Sequence, residues 1–192
     1  KIQLLVVCTQ TPEFQLPQTS AQLQERCGLS NSVASFDISL GCSGYVYGLS
    51  IVESLMVLHG YDYGVLITAE KYSSIINDED RNTKCLFSDA ASASLLSRNG
   101  MLMPEQYKFG TDGAFYDSLI VRNDKNIDGF YKRSLNMDGR KIFNFTVGKI
   151  PNEISSACKL NDVKENEIDH YVLHQASSFV ITSIAKKSLC DD

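Results

Sequence analysis

The sequence predicts an α/β layered fold, and three observations carry that prediction. Ile2 to Val7 is a continuous apolar run of the kind a buried strand uses. Strand-like and helix-like signals then alternate along the chain. One unit, a short strand followed by a reactive residue and a helix, occurs at Cys42 and again at His174. No low-complexity tract or short solenoid repeat interrupts the alternation.

After the first strand, Thr19 to Arg26 suits a short helix ended by Gly28. Phe36 and Ile38 alternate with polar neighbours as a half-buried strand does, and the Gly41/Gly44 pair allows a sharp turn with close backbone approach. From Tyr45 onward Val46, Leu49, Val52, Leu55, Met56 and Leu58 recur at three- and four-residue spacing, predicting a helix with one broad buried stripe that ends at His59-Gly60. Gly64 to Ala69 is the next strand. Ala93 to Ser97 and the residues from Met101 onward flank Asn99-Gly100, the preferred two-residue hairpin turn. The stretch from Asn123 to Arg133 is rich in Asp, Asn and Lys and marks the boundary between two halves, residues 1–133 and 134–192. Asp138-Gly139 introduces a helix from about Lys141 to Ala157, in which Pro151 calls for a kink or split at a cost of about 3 kcal/mol. Ile168 to Leu173 is the strand that delivers His174, and His170 falls inside it.

Composition excludes several function classes. The chain has 192 residues, 43% hydrophobic and 21% charged, enough for one sizeable core or two half-domains. Its apolar runs fall short of the about 20 residues that span a bilayer, and nothing at the N-terminus reads as a signal peptide. A net charge of −5 without a dense basic stripe argues against a general nucleic-acid binder. Lys186 and Lys187, with Arg140, Lys141 and Lys149, can form a local basic patch, although solvation and helix-dipole compensation is the plainer reading. The six cysteines, Cys8, Cys27, Cys42, Cys85, Cys158 and Cys190, show no CxxC pair and no close Cys/His spacing, which speaks against structural zinc and a redox dithiol. Without an export signal they are expected to be reduced in a cytoplasmic protein. Cys8 and Cys85 lie in apolar runs and are expected in the core.

Cys42 stands where a strand ends and a helix begins. There the helix dipole and unpaired helix N–H groups favour thiolate over thiol. A small buried hydrophobe is the alternative reading of an intracellular cysteine. His174 repeats the arrangement with a base in place of a thiol. Ligands in open α/β sheets gather where strands end and helices begin, so two such junctions can face one crevice as nucleophile and acid/base partner.

The block from Asp37 to Tyr47, the segment DEDRNTKCLFSDAASA at Asp78 to Ala93, and HQA at His174 to Ala176 together resemble the β-ketoacyl-acyl-carrier-protein synthase III family of condensing enzymes, in order and over nearly the whole chain. The resemblance implies a thiolase-like layered fold of pseudo-duplicated halves, incomplete at both ends, with residues 1–133 the latter part of the N-terminal half and 134–192 the first part of the C-terminal half. It implies that Cys42 is the acylated nucleophile and that His174 drives decarboxylation and stabilises the enolate or oxyanion. It implies substrate-binding roles for Arg81, at the nucleotide end of coenzyme A, for Leu16, inserted into a neighbouring subunit's acyl pocket, and for Phe143. The expected substrates are acyl-coenzyme A and malonyl-carrier thioesters, the expected partners an acyl carrier protein and a second copy in a homodimer, and no metal or redox cofactor is required.

The family's third catalytic residue, an asparagine in a Gly-Asn-Thr motif, has no counterpart before Asp192. Phe179 stands where many members carry an arginine, Ser177 replaces an asparagine, and Asn144 follows Phe143 where a lysine is common. LFSDAASA has Ser88, Ala90 and Ser92 in place of glycines. These departures leave two alternatives beside condensation: acyl transfer to a non-malonyl acceptor, or a non-catalytic thiolase-fold subunit.

Overall fold

The structure, a computed structural model, describes residues 1–125 and 131–188. Cys190 and the middle of the polar 123–133 stretch lie outside the described residues. The chain forms two units, one of residues 1–74 and 88–103, the other of residues 75–87 and 104–192.

The first unit is built around strand β1 (Leu4–Cys8), five residues that are all buried. Such a run can be apolar throughout only if both faces and both edges are covered. It pairs in parallel with β2 (Ala34–Ile38) on one side and β3 (Tyr63–Glu70) on the other, and β4 (Ala90–Ser97) joins β3 antiparallel, giving the order β2-β1-β3-β4. Helix α2 (Gly44–His59) covers one face, where Leu4, Val6, Cys8, Val52, Met56 and Leu66 form the core. Helix α1 (Thr19–Arg26) packs on β1 and β2. Asp37 is out of phase with Phe36 and Ile38, and its carboxylate accepts the N–H groups of Thr19 at 2.7 Å and Ser20 at 2.8 Å, supplying the helix start that Gln18 leaves without a side-chain cap.

The buried stripe of α2 differs from the expected one. Gly44, Gly48, Val52 and Met56 are buried, whereas Val46 is 45% and Leu58 74% exposed. The cause is glycine. A Cβ on Gly48 would lie 2.6 Å from Leu66 Cδ1, and one on Gly44 would lie 2.3 Å from Cys8 Sγ, so the helix approaches the sheet closely along its glycine edge and turns larger residues outward. Gly60, at φ 68°, ends the helix in the left-handed conformation as its position after His59 predicts.

The Asn99-Gly100 hairpin does not form among the described residues. β4 ends at Ser97, no strand follows at Met101, and Met101 and Leu102 are exposed. A turn signal makes a hairpin only where the second arm has a ladder and a core to join.

In the second unit, β5 (Leu119–Lys125) and β6 (Tyr131–Met137) pair antiparallel, so strands run through both ends of the polar stretch read as a connection. A four-residue helix, α3 (Arg81–Lys84), is capped by Asp80, whose carboxylate accepts from Thr83 N–H at 3.1 Å and Thr83 Oγ1 at 2.5 Å. Cys85 is exposed rather than in the core, because the buried residue of this short helix is Thr83. Helix α4 (Gly139–Leu160) starts on an Asp138 cap and runs through Pro151 as one element. Helix α5 (Ser178–Ser188) packs along it. The expected strand at Ile168–Leu173 is absent: Ile168 closes a 3-10 turn at Glu165–Glu167, and residues 170–175 carry no regular structure. A strand needs a ladder partner, and none is hydrogen-bonded to this segment among the described residues.

Candidate active site

Cys42 lies in the tight turn between β2 and α2. Gly44 N–H donates to Gly41 C=O at 2.8 Å across it, and Tyr47 N–H donates to Ser43 C=O at 3.1 Å as the helix begins. The Cys42 side chain is exposed, and the residue is in no disulfide. The turn sits where the three parallel strands end, the edge of an α/β sheet at which ligands gather.

A polar cluster from the other two parallel strands backs this turn. Glu70, at the end of β3, accepts Gln10 N–H at 2.8 Å and the Thr11 hydroxyl at 2.6 Å, and the same hydroxyl accepts Lys71 N–H at 2.7 Å. Tyr72 Oη donates to Gln10 Oε1 at 3.2 Å. That oxygen lies over Gly41: a Cβ there would be 2.8 Å from Gln10 Oε1 and 3.9 Å from Tyr72 Oη. Burial first, then the charges of Glu70 and Cys42, push the Tyr72 phenol up to about 12. Beneath the turn, the buried Cys8 thiol donates to Leu40 C=O at 3.2 Å, and burial raises its pKa. Cys8 is thus a core thiol, as its apolar run predicts, and Cys42 is the exposed one. Sequence reasoning missed Gln10, Glu70 and Tyr72, since polar residues just past strand ends carry no pattern that separates them from ordinary loop residues.

In the second unit His174 is exposed on the loop before α5. Ser177, standing where an asparagine is usual, caps that helix: its Oγ accepts Val180 N–H at 3.3 Å and its C=O accepts Ile181 N–H at 3.1 Å. The first turn of α5 carries Phe179, which stacks on Phe143 of α4 with ring centroids 5.1 Å apart at 19°, so the structure brings Phe143 against the helix that follows His174. Phe179, standing where an arginine is common, is 68% exposed. Arg81 is the exposed first residue of α3. Leu16, in the first unit, is 86% exposed and takes no part in its core. A concavity of about 690 Å³ lined by Ser155, Cys158, Lys159 and Glu165 involves none of these residues.

No group of three or more His, Cys, Asp or Glu side chains able to hold a metal ion occurs among the described residues. Among them, too, no helix is long and apolar enough to cross a membrane. The chemistry within reach of the Cys42 turn is that of an exposed thiol at a helix start, backed by a polar cluster that includes the Glu70 carboxylate: nucleophilic attack on an activated carbonyl.

Comparison with known proteins gives consistent likenesses. The sequence profile described as 3-oxoacyl-[acyl-carrier-protein (ACP)] synthase III matches residues 36–113, which include the Cys42 turn. The chain is 35% identical to the β-ketoacyl-[acyl-carrier-protein] synthase III of Lactococcus lactis subsp. cremoris, over 97% of this chain and 59% of that protein. It is 32% identical to the enzyme of the same name from Rickettsia canadensis, over 96% of this chain and 58% of that one. Among solved structures, a 3-oxoacyl-(acyl-carrier-protein) synthase III superposes with a TM-score of 0.86 at 30% identity, covering 97% of this chain and 61% of that chain. The Thermus thermophilus β-ketoacyl-[acyl carrier protein] synthase III superposes at 0.82 with 27% identity, covering 99% and 60%. The chain therefore spans about three fifths of the length of the relatives it matches. The α/β architecture expected from the sequence is the one found, and its thiolase-like character is that of these neighbours.

Proposed function

We propose that this chain is a member of the 3-oxoacyl-[acyl-carrier-protein] synthase III family, which it resembles in sequence and fold, and that it carries the nucleophile and the histidine of a decarboxylative Claisen condensation. The Cys42 thiolate attacks the carbonyl carbon of an acyl-coenzyme A thioester, the coenzyme thiol leaves, and acyl-Cys42 remains. A malonyl thioester on an acyl carrier protein then loses carbon dioxide. The electron pair of the broken C–C bond forms the carbanion that attacks the acyl carbonyl, and the Cys42 sulfur leaves, giving a β-ketoacyl thioester. Backbone N–H groups near Cys42 stabilise the thioester oxyanion, and His174 donates to the malonyl oxygen as the enolate develops. The thioesters bring both the activated carbonyl and the leaving group, so these steps call on no metal or redox group.

Arg81 contacts the nucleotide end of coenzyme A, Phe143 lines the substrate path, and Leu16 enters the acyl pocket of a second copy in a homodimer. Two exposures support the dimer reading: Leu16 itself, and β4, the end strand of its sheet, whose Leu95 is 66% exposed. Residues 1–133 belong to the N-terminal half and 134–192 to the C-terminal half of a larger thiolase-like protein, working in the cytoplasm in fatty-acid or related biosynthesis.

The observation that carries this reading is the Cys42 turn: an exposed thiol between a parallel strand and a 16-residue helix, inside the profile-matched residues. Intact-mass spectrometry after exposure to a panel of acyl-coenzyme A thioesters tests it. An acyl-sized increase that disappears in Cys42→Ala supports the reading, and no increase in the folded protein rejects priming from coenzyme A. The Phe143–Phe179 stack favours a second reading, acyl transfer to an acceptor that carries no malonyl group, since an aromatic surface replaces expected cations. Release of carbon dioxide separates the two: condensation produces it and simple transfer does not.

A further inference from the structure

We propose that Tyr72 and Gln10 form a positioning pair that holds the Gly41–Cys42 turn in its reactive conformation, a role that rests on Cys42 being the acyl acceptor. Gln10 is fixed at two points by the residues that end β3 and follow it. Its main-chain N–H is held by Glu70 Oε1 at 2.8 Å, and its side-chain oxygen is held by Tyr72 Oη at 3.2 Å. So anchored, the carboxamide fills the space that a side chain at position 41 would occupy, 2.8 Å from where that Cβ would stand. The turn itself is short and flanked by Gly41 and Gly44, which on their own leave the backbone free to sample other conformations.

The pair converts that freedom into one geometry, with Cys42 at the helix start. A phenol suits the task. Its raised pKa keeps Tyr72 protonated through the neutral range, so it remains a donor to Gln10 and adds no negative charge beside the thiolate. Of the titratable groups near the turn, Cys8 ends β1, Glu70 ends β3 and Tyr72 follows it, and Glu70 is engaged with Gln10 and Thr11.

Tyr72→Phe removes only the hydroxyl, and Gln10→Ala removes the carboxamide together with the methylene that bears it. Each is expected to lower the maximal rate of Cys42 acylation by acetyl-coenzyme A about tenfold while leaving the half-saturating concentration unchanged. The double variant is expected to be no slower than either single one, because the two side chains act as one device. Alkylation of Cys42 by iodoacetamide, followed by peptide mass, reports on the same turn without a thioester. Both variants should react more slowly than the parent at pH 7 and equally at pH 10, where the thiol ionises without help from the helix start. Parental alkylation rates at pH 7, or additive losses in the double variant, would overturn the pair. A parent that takes no acetyl group while the alkylation difference persists would reject the acyl-acceptor role and leave the positioning pair standing.

Discussion

Lys187 Nζ lies 3.5 Å from the carbonyl oxygen of Val147 and donates to it. Val147 is four residues before Pro151, which has no N–H, so it is the carbonyl that the proline leaves without its helical donor. α4 therefore runs through an interior proline with the freed acceptor covered from α5, the helix packed beside it.

A double-mutant cycle measures that relation. Lys187→Met is expected to destabilise the parent by about 1 kcal/mol, and clearly less in a Pro151→Ala background, where the alanine's own N–H serves the carbonyl. Pro151→Ala alone should raise stability by roughly 1 to 3 kcal/mol, read from denaturant midpoints. Equal effects of Lys187→Met in both backgrounds would show that the lysine acts only as surface charge.

The glycine edge of α2 sets the second prediction. Gly48→Ala brings a Cβ to 2.6 Å from Leu66 Cδ1, inside the core, and should cost about 1 to 3 kcal/mol. Combined with Leu66→Ala, its cost should shrink, since the atom it strikes is gone. Additive losses would mean that the helix relieves the contact by shifting.

Asp89 supplies a pH-dependent contact. Its carboxylate accepts Ser73 N–H at 2.8 Å and the Ser73 hydroxyl at 2.5 Å, and these hydrogen bonds, the hydroxyl's first, hold its pKa below the usual carboxylate value. A depressed folded-state pKa means that the contribution is complete above the unfolded value of about 3.9 and is lost as pH falls through the folded value. The stability gap between the parent and Asp89→Asn should be constant from pH 7 to pH 5 and close on acidification. A gap that widens toward low pH would reverse the sign assigned here.

His174→Ala separates the proposed steps. In the full-length protein, acyl transfer to Cys42 should persist, while carbon dioxide release from the malonyl thioester should fall about 10²- to 10⁴-fold. Loss of acylation instead would make His174 the base that activates the thiol.

Much of the first unit was legible in sequence because its signals are local. The all-apolar β1, the three- and four-residue rhythm of α2 and the glycine after His59 each report on their own element. What was not legible depends on who the neighbours are. Val46 and Leu58 belong to the apolar rhythm of α2, yet they are turned outward because Gly44 and Gly48 take the close contacts with Cys8 and Leu66. Asn99-Gly100 is a sound turn signal with no second arm beside it, and Ile168–Leu173 has strand composition without a ladder. At the candidate site, the Cys42 junction was readable from the strand, glycines and helix around it. The polar residues behind it, Gln10, Glu70 and Tyr72, come together only through the parallel pairing of β1 with β3.

That pairing also has a consequence in time. β1 is the most apolar segment of its unit, yet its partner Gly64 follows Leu4 by 60 residues. At a synthesis rate of about 5 to 20 residues per second, this strand waits roughly 3 to 12 s for its second neighbour while the chain is still being made. During that interval its backbone can be paired on the β2 edge alone while its apolar side chains await the rest of the core, which makes the newborn chain a natural client for any chaperone that binds short extended apolar segments.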